Sequence, residues 1–211
     1  MTINVANPLQ NTADWLSERA GSLTASRMAD ALDFRKDGKP GAARVKLIKE
    51  LIAERMTGET VRRYATPEML RGQEEEPFSR EAYEAETGNI VRLVGFIPHP
   101  TIEYCGASPD GMVEAHGLVE FKNPTTPVHL DWILGGKVPA EHEPQLLLQL
   151  ACTRKQWVDF VSFDRRIRNP RQQLFIRRYE PTADEIAGIE EAARQFLDEL
   201  EAMFRAFVEA A

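Results

Sequence analysis

The chain has 211 residues, a length that fits one domain, and 43% of them are hydrophobic, which is enough for a packed core. No apolar run is long enough to span a membrane and no charged-then-apolar segment opens the chain, so we expect neither a membrane span nor a secretory signal and place the protein in the cytosol. Two cysteines, and four histidines without zinc-ligand spacing, argue against a disulfide scaffold and a zinc site.

The net charge of −7 argues against a nucleic-acid partner when it is taken as a sum, but the charges are unevenly distributed. Lysines and arginines are concentrated in residues 19–49 and again in residues 165–178, whereas acids are concentrated in residues 74–76 and in the last thirty residues. One side of the molecule can therefore be basic and another acidic. Each basic cluster is equally well explained as a solvated surface.

The first half of the chain predicts mainly helices. Residues 1–11 have little pattern and are predicted to form an arm, and residues 35–41 a basic loop. Apolar spacing and capping residues predict helices at residues 15–19, 24–32, 43–56 and 66–87. Thr24 is the predicted N-cap of the second helix, and Pro77 either kinks the fourth helix or starts a new one.

The second half alternates strand and helix signals. Strands are predicted at residues 90–96, 118–122, 157–163 and 174–179, and helices at residues 144–151 and 182–209. The last helix is amphipathic and begins with a capping box, and residues 125–139 are predicted to be an irregular connection. This order predicts one α/β or α+β domain over residues 1–211, with a mixed central β-sheet flanked by helices.

The strand at residues 118–122 belongs to a hairpin with metal-binding character. Glu120 and Lys122 share one face of the strand, while Val119 and Phe121 on the other face can anchor it in a core. Turn residues around Asp110 predict that its carboxylate lies beside Glu120. Two carboxylates and an ammonium group suit Mg²⁺ chemistry, in which the lysine orients an attacking water. The alternative is an exposed hairpin with a cross-strand ion pair.

Three further side chains are candidates for the same cleft. Glu76 would project from a helix, although Glu74 and Glu75 compete for the role, and the sequence alone favours a solvated acidic run. Gln145 and Gln149 are four residues apart on one face of an apolar helix. Buried amides need hydrogen-bond partners, so we expect them either beside the cleft or at a surface edge of the helix.

Four motifs in order carry a family resemblance. They are Trp15-x-x-x-Arg19-x-Gly21-x-x-Thr24-Ala25-Ser26, Gly72-x-x-x-Glu76-Pro77, Ser108-Pro109-Asp110-Gly111 with Glu120-Phe121-Lys122, and Gln145-x-x-x-Gln149 leading into Trp157-x-x-Phe160-Val161. The chain resembles the phage lambda exonuclease family, also called YqaJ-type viral recombinases, within the PD-(D/E)xK nuclease superfamily. The match covers roughly residues 15–164 and implies a restriction-endonuclease-like core. It also selects Glu76 over its acidic neighbours.

The resemblance implies a Mg²⁺-dependent 5′-to-3′ exonuclease that digests one strand of linear double-stranded DNA to mononucleotides. The remaining 3′ single strand would serve recombination by annealing. Two Mg²⁺ ions per site are implied, with Mn²⁺ able to substitute. The implied partners are duplex DNA with a free 5′-phosphorylated end, two further copies in a ring-shaped homotrimer, and a single-strand annealing protein. The implied setting is a phage or prophage in a bacterial cytoplasm.

Residue roles follow from the same resemblance, motif by motif. Metal ligands would be Asp110, Glu120, the Phe121 carbonyl and Glu76, with Lys122 serving the water. Gln145 and Gln149 would orient the site, although Leu147 stands where some relatives carry a further glutamine. The terminal 5′-phosphate would be bound by Arg19, Ser26 and Thr24.

Two other functions stay open on the sequence. The same core serves endonucleases and structure-specific nucleases, and a degenerate site would leave a non-catalytic DNA-binding protein. The complete set of Asp110, Glu120 and Lys122 argues against the second alternative.

Overall fold

The computed structural model describes residue 10 and residues 12–61 and 66–209. The helices in this part of the chain are α1 (Ala13–Arg19), α2 (Met28–Ala31), α3 (Ala42–Thr57), α4 (Pro67–Thr87), α5 (Thr126–Gly135), α6 (Glu143–Thr153) and α7 (Ala183–Glu209). The strands are β1 (Leu23–Thr24), β2 (Val91–Arg92), β3 (Ile97–Pro98), β4 (Cys105–Ala107), β5 (Gly111–Val113), β6 (Gly117–Lys122), β7 (Trp157–Phe163) and β8 (Leu174–Tyr179). No helix in the described residues is both long and apolar enough to cross a membrane.

A mixed five-stranded sheet in the order β2-β5-β6-β7-β8 forms the centre of the fold, as the sequence predicts. Strands β6 and β7 are parallel and the other neighbours are antiparallel. A parallel pair needs a crossover, which α5 and α6 supply. A second sheet, β1-β4-β3, holds the first motif next to β4.

Helices cover both faces of the central sheet. Val119 and Phe121 pack with Tyr83 of α4 on one face. On the other face, Leu118 packs with Leu146 of α6 in a separate core. The alternation of side chains along β6 therefore directs Val119 and Phe121 toward α4, and Leu118 with the charged pair toward α6. The carboxyl end of β6 lies between the two helices.

A third core joins α3, α6, α7 and the small sheet. Cys105 and Cys152 are buried in it as free thiols, as predicted. The capping box of α7 forms, because the Thr182 backbone N–H donates to Glu185 Oε2 at 2.7 Å and the Glu185 N–H donates to Thr182 Oγ1 at 3.2 Å.

Several predicted elements are wrong in detail. Residues 90–96 are not one strand, because only Val91 and Arg92 are in a strand, β2, which pairs with β5 of the large sheet; the next strand, β3, begins at Ile97 and pairs with β4 of the small one. Residues 125–139 are not irregular, since they contain α5, whose C-cap is Gly136 with a φ of +64°. Thr24 lies in β1 and precedes a 3₁₀ turn (Ala25–Arg27), but its side chain makes no capping hydrogen bond.

Two other expectations have simple outcomes. Pro77 lies inside the continuous helix α4, so it does not start a new helix. The predicted arm, residues 1–11, falls outside the described residues except for Gln10. Its side-chain amide donates to the Pro109 carbonyl at 2.9 Å and to the Val94 carbonyl at 3.2 Å.

Candidate active site

The β5–β6 hairpin brings three charged side chains together at the carboxyl end of β6. Asp110 directly precedes β5, and its Oδ2 accepts a hydrogen bond from the Phe121 N–H at 2.7 Å. Glu120 is 3% exposed, and Lys122 Nζ lies 2.6 Å from its Oε1. The hairpin register thus forms the cluster that the sequence spacing indicates.

Helix α6 supplies two amides to the same carboxylate. Gln145 and Gln149 are one turn apart, and their Nε2 atoms donate to the two oxygens of Glu120, each at 2.6 Å. Lys122 Nζ also donates to Gln145 Oε1 at 3.3 Å. These bonds fix the plane of the Glu120 carboxylate against the sheet.

The carboxylates strongly influence one another. Burial raises the pKa of Asp110 well above its usual range, and the negative charges of Glu120 and Glu76 raise it further. Burial alone would lower the pKa of Lys122, but Glu120 and Asp110 outweigh burial and raise it. Lys122 is therefore a protonated donor rather than a base.

The structure distinguishes Glu76 from its acidic neighbours. Glu74 is exposed, and Glu75 forms an ion pair with Arg165 at 2.8 Å. Glu76 is half-buried, and its pKa is raised by burial and then by the charge of Glu120. Glu76 is thus the member of this run that interacts electrostatically with the hairpin carboxylates.

The first motif forms the opposite wall of a cleft of about 210 Å³ that also contains Asp110, Glu120 and Lys122. This wall consists of Trp15, Arg19, Thr24, Ala25 and Ser26. Burial lowers the pKa of Arg19 to about 10, so the side chain is still a cation at neutral pH. No ion pair of Arg19 is found among the described residues, and its guanidinium carbon lies 3.8 Å from the centre of the Trp15 ring.

Sequence reasoning missed several residues around the cleft. Trp15 also donates from Nε1 to Ser108 Oγ at 3.0 Å, so it links Arg19 to the turn that carries Asp110. Its four-residue spacing from Arg19 on a helix was the available signal. Gln10 lines the cleft as well, and no sequence pattern marked it. Asn123, directly after Lys122, was likewise not singled out as a site residue.

Asn123 ties the end of β6 to helix α4. Its Oδ1 accepts from Ser79 Oγ at 2.5 Å, and its Nδ2 donates to the Gly72 carbonyl at 3.2 Å. Glu76 lies between these two contact points on α4. Asn123 therefore clamps the turn of helix that carries Glu76 against the hairpin.

The donor set fits a hard divalent cation. No cluster of three or more His, Cys, Asp or Glu side chains in the described residues is arranged around a metal position. The Glu120 oxygens are instead bonded to Lys122, Gln145 and Gln149. The buried carboxylate of Glu120, the half-buried carboxylate of Asp110 and a main-chain carbonyl are nevertheless the oxygen ligands that Mg²⁺ prefers, with waters completing the shell. Within the described part of the chain the buried Gln149 Oε1 has no hydrogen-bond partner, which leaves an acceptor for such a water.

A family model described as the YqaJ-like viral recombinase domain matches residues 14–156, more than half of the chain. The chain belongs to this family. The resemblance seen in its motifs is confirmed, and the YqaJ-type match includes all three walls of the cleft: the first motif, the hairpin and α6.

Solved structures agree with this assignment. The crystal structure of an alkaline exonuclease from Laribacter hongkongensis is 42% identical, with a TM-score of 0.86, and the match covers 94% of this chain and 97% of that one. The structure of the same exonuclease in complex with dAMP is 42% identical with a TM-score of 0.85, and the match covers 95% of this chain and 100% of that one. A phage related exonuclease from Haemophilus somnus 129PT is 12% identical with a TM-score of 0.59, and the match covers 86% of this chain and 96% of that one. At this identity the match shows only a shared fold. Among curated proteins, none matches the chain.

Proposed function

We propose that this YqaJ-family chain is a Mg²⁺-dependent exonuclease that removes mononucleotides in the 5′-to-3′ direction from one strand of linear double-stranded DNA. The observation that carries the proposal is the single cleft in which Asp110, Glu120 and Lys122 face Arg19. A hydrolytic centre and a cation for a terminal phosphate thus lie within one nucleotide-sized space. The 42% identical alkaline exonuclease supports the reaction class, and dAMP in its second structure is a mononucleotide of the proposed product type.

The hydrolytic roles follow from the contacts. Asp110, Glu120 and the Phe121 carbonyl would hold one Mg²⁺ and Glu76 would serve a second, with Mn²⁺ able to replace either. When bound, the metal lowers the pKa of a bound water and stabilises charge on the phosphorus. Lys122, protonated and fixed on Glu120, donates to the water or to a phosphate oxygen. Gln145 and Gln149 keep the Glu120 carboxylate in one orientation.

The opposite wall suits a terminal 5′-phosphate. Arg19 is a half-buried cation held over the Trp15 ring, and a guanidinium in that state binds phosphate oxygens strongly. The hydroxyls of Thr24 and Ser26, 3.3 Å apart, add donors beside it. Recognition of the chain end would place the first phosphodiester at the carboxylates and give the enzyme its polarity.

The wider setting is part of the same proposal. Residues 1–211 would act as one nuclease domain, working as a ring-shaped homotrimer around duplex DNA. The 3′ single strand left behind would pass to a single-strand annealing protein for homologous recombination of a phage or prophage. The viral recombinase description of the family supports this setting.

Three substitutions test the hydrolytic centre. Asp110→Ala, Glu120→Ala and Lys122→Ala should each retain the fold and DNA binding but reduce single-turnover cleavage by about 10²-fold or more. Matched controls are Asp131→Ala, Glu81→Ala and Lys137→Ala, which remove the same groups from exposed positions. Full activity in any of the first three variants would remove that residue from the site.

A further inference from the structure

The turn between β7 and β8 is a basic feature that the proposed hydrolytic site does not use. Residues 164–173, the arginine turn, carry four arginines against the single carboxylate of Asp164, a net charge of +3 in a chain of net charge −7. The four are Arg165, Arg166, Arg168 and Arg171. All of them are exposed. So concentrated a positive patch is the electrostatic signature of a phosphate backbone contact.

The sheet places the arginine turn at the same edge as the hydrolytic centre. Lys122 of β6 is in register with Ser162 of the parallel strand β7, so both strands end at one edge. The first arginine of the turn is three residues beyond Ser162, roughly 10 Å along an extended chain. Arg166 Nη2 also donates to the Pro124 carbonyl at 3.2 Å, which ties the turn to the segment that leaves β6.

The arginines of the turn divide into two kinds. Arg165 pairs with Glu75 and lies over the Phe78 ring, and Arg166 pairs with Asp164 at 2.7 Å. These two hold the turn in place. Arg168 and Arg171 form no ion pair with any carboxylate in the described part of the chain.

The backbone of the turn is ordered beneath these two free cations. Asn169 Oδ1 accepts from the Arg171 N–H at 3.2 Å, and Gln173 Nε2 donates to the Ile167 carbonyl at 2.7 Å. The guanidinium groups of Arg168 and Arg171 are therefore presented to solvent from a fixed turn. They are available to an external anion without loss of an internal bond.

The order of the strands in the sheet gives the direction in which a bound DNA strand would run. Asp110 precedes β5, on one flank of β6, and Trp15 links it to Arg19 on that same flank. The arginine turn follows β7, on the other flank. A strand whose 5′-phosphate lies at Arg19 and whose first phosphodiester lies at the carboxylates would continue toward the arginine turn. The roughly 10 Å of extended chain from Ser162 to the first arginine of the turn equals about three base-pair rises along the axis of a duplex.

We propose that Arg168 and Arg171 bind phosphates of the digested strand on the 3′ side of the scissile bond. The inference rests on the proposed exonuclease function, because that function fixes which phosphate lies at the carboxylates. Contacts of this kind hold the substrate while each released nucleotide is replaced by the next. They carry no sequence information, as a nuclease of general DNA requires.

The test is DNA binding by an Arg168→Gln/Arg171→Gln variant in EDTA, with a 5′-phosphorylated duplex over a range of KCl concentrations. Removing two phosphate contacts should weaken binding by about tenfold or more. It should also reduce the slope of log affinity against log salt by up to about 2. The control is Lys36→Gln/Lys39→Gln, which removes two charges from the exposed loop of residues 35–41. Equal weakening in both variants, or none in the arginine variant, would overturn the inference.

Neutral methylphosphonate linkages test which DNA strand Arg168 and Arg171 contact. Placed at the second to fourth linkages of the 5′-phosphorylated strand, they should abolish the difference between the wild type and the arginine variant. The same linkages in the complementary strand should leave that difference intact. The reverse pattern would overturn the assignment to the digested strand.

Digestion by the wild type with Mg²⁺ distinguishes failure of the proposed exonuclease function from failure of the proposed role of the arginine turn. A wild type that does not digest the phosphorylated strand refutes the proposed function. A wild type that digests it, beside an arginine variant that binds DNA like the lysine control, refutes only the role of the arginine turn.

Discussion

Replacing Asp110 with asparagine should stabilise the metal-free protein while it removes the activity. The Asp110 side chain is half-buried, and burial, then the charges of Glu120 and Glu76, raise the pKa of its carboxyl. Asparagine keeps an oxygen that can accept the 2.7 Å bond from the Phe121 N–H, so the main structural contact is retained. What is lost is a negative charge that the other two carboxylates repel.

The size of the effect follows from Coulomb's law. Two like charges about 6 Å apart repel by roughly 3 kcal/mol at an effective dielectric constant of about 20. Lys122 offsets part of this repulsion, since its ammonium attracts Asp110 as well as Glu120. We expect a net gain in the free energy of unfolding of about 1–2 kcal/mol, or a rise in Tm of about 2–8 °C for a chain of this size.

The assay is urea or thermal unfolding in EDTA and again with Mg²⁺. The wild type should gain about 2.7 kcal/mol when Mg²⁺ is at about 100 times its Kd, and Asp110→Asn should gain much less. Asp131→Asn, an exposed change on α5, should match the wild type in both conditions. A loss of stability for Asp110→Asn in EDTA, or equal stabilisation of both proteins by Mg²⁺, would refute the reasoning.

Three further outcomes are expected. Burial, followed by the charge of Lys122, lowers the pKa of His142 to about 4. On acidification the unfolded chain therefore takes up this proton before the folded chain does, so the free energy of unfolding should fall by up to about 3 kcal/mol between pH 6.5 and 4. Urea titrations of His142→Gln should show a smaller fall. Asn123→Ala releases the α4 turn that carries Glu76, so half-maximal activity should need several-fold more Mg²⁺, with the rate largely recovered at saturation. Gln149→Ala should lower the single-turnover rate by about tenfold or more, with DNA binding unchanged, because Glu120 loses a 2.6 Å bond.

Each of these predictions has a contradicting result. Equal acid sensitivity of the wild type and His142→Gln would show that this imidazole is not the responsible group. Asn89→Ala, two residues beyond the end of α4, is the control for Asn123→Ala, and an equal Mg²⁺ requirement in both variants would exclude the clamp. A Gln149→Ala variant that cuts at the wild-type rate would make the amide a packing group only.

Local periodicity predicted the parts of the site that lie on single elements. Alternation along β6 put Glu120 and Lys122 on one face, and the four-residue spacing of Gln145 and Gln149 put both amides on one face of α6. These features depend only on the repeat of a strand or a helix. For the same reason the strands β7 and β8 were predicted with the bounds that the structure shows.

The errors arose where distant segments decide the structure. Only Val91 and Arg92 of the predicted strand 90–96 find a strand partner, β5 of the large sheet, and the next strand, β3, begins only at Ile97 and pairs with β4 of the small sheet. Helix α5 was missed because Pro127 and the glycine pair Gly135-Gly136 are loop signals when read alone. In the structure Pro127 lies in the first turn of this helix and the glycine pair ends it. The contacts of Asn123 with α4 cross about fifty residues of sequence, and no local pattern encodes them.

The central claim is tested most directly by digesting a linear duplex with a 5′-phosphate on one strand only, with and without Mg²⁺, beside a closed circular duplex. The account predicts that the phosphorylated strand is lost as mononucleotides only when Mg²⁺ is present, while the circle stays intact. It also predicts that Arg19→Ala loses the preference for the phosphorylated strand. A nicked or linearised circle would contradict the account in favour of an endonuclease, and no cleavage of either substrate would favour a non-catalytic DNA-binding protein.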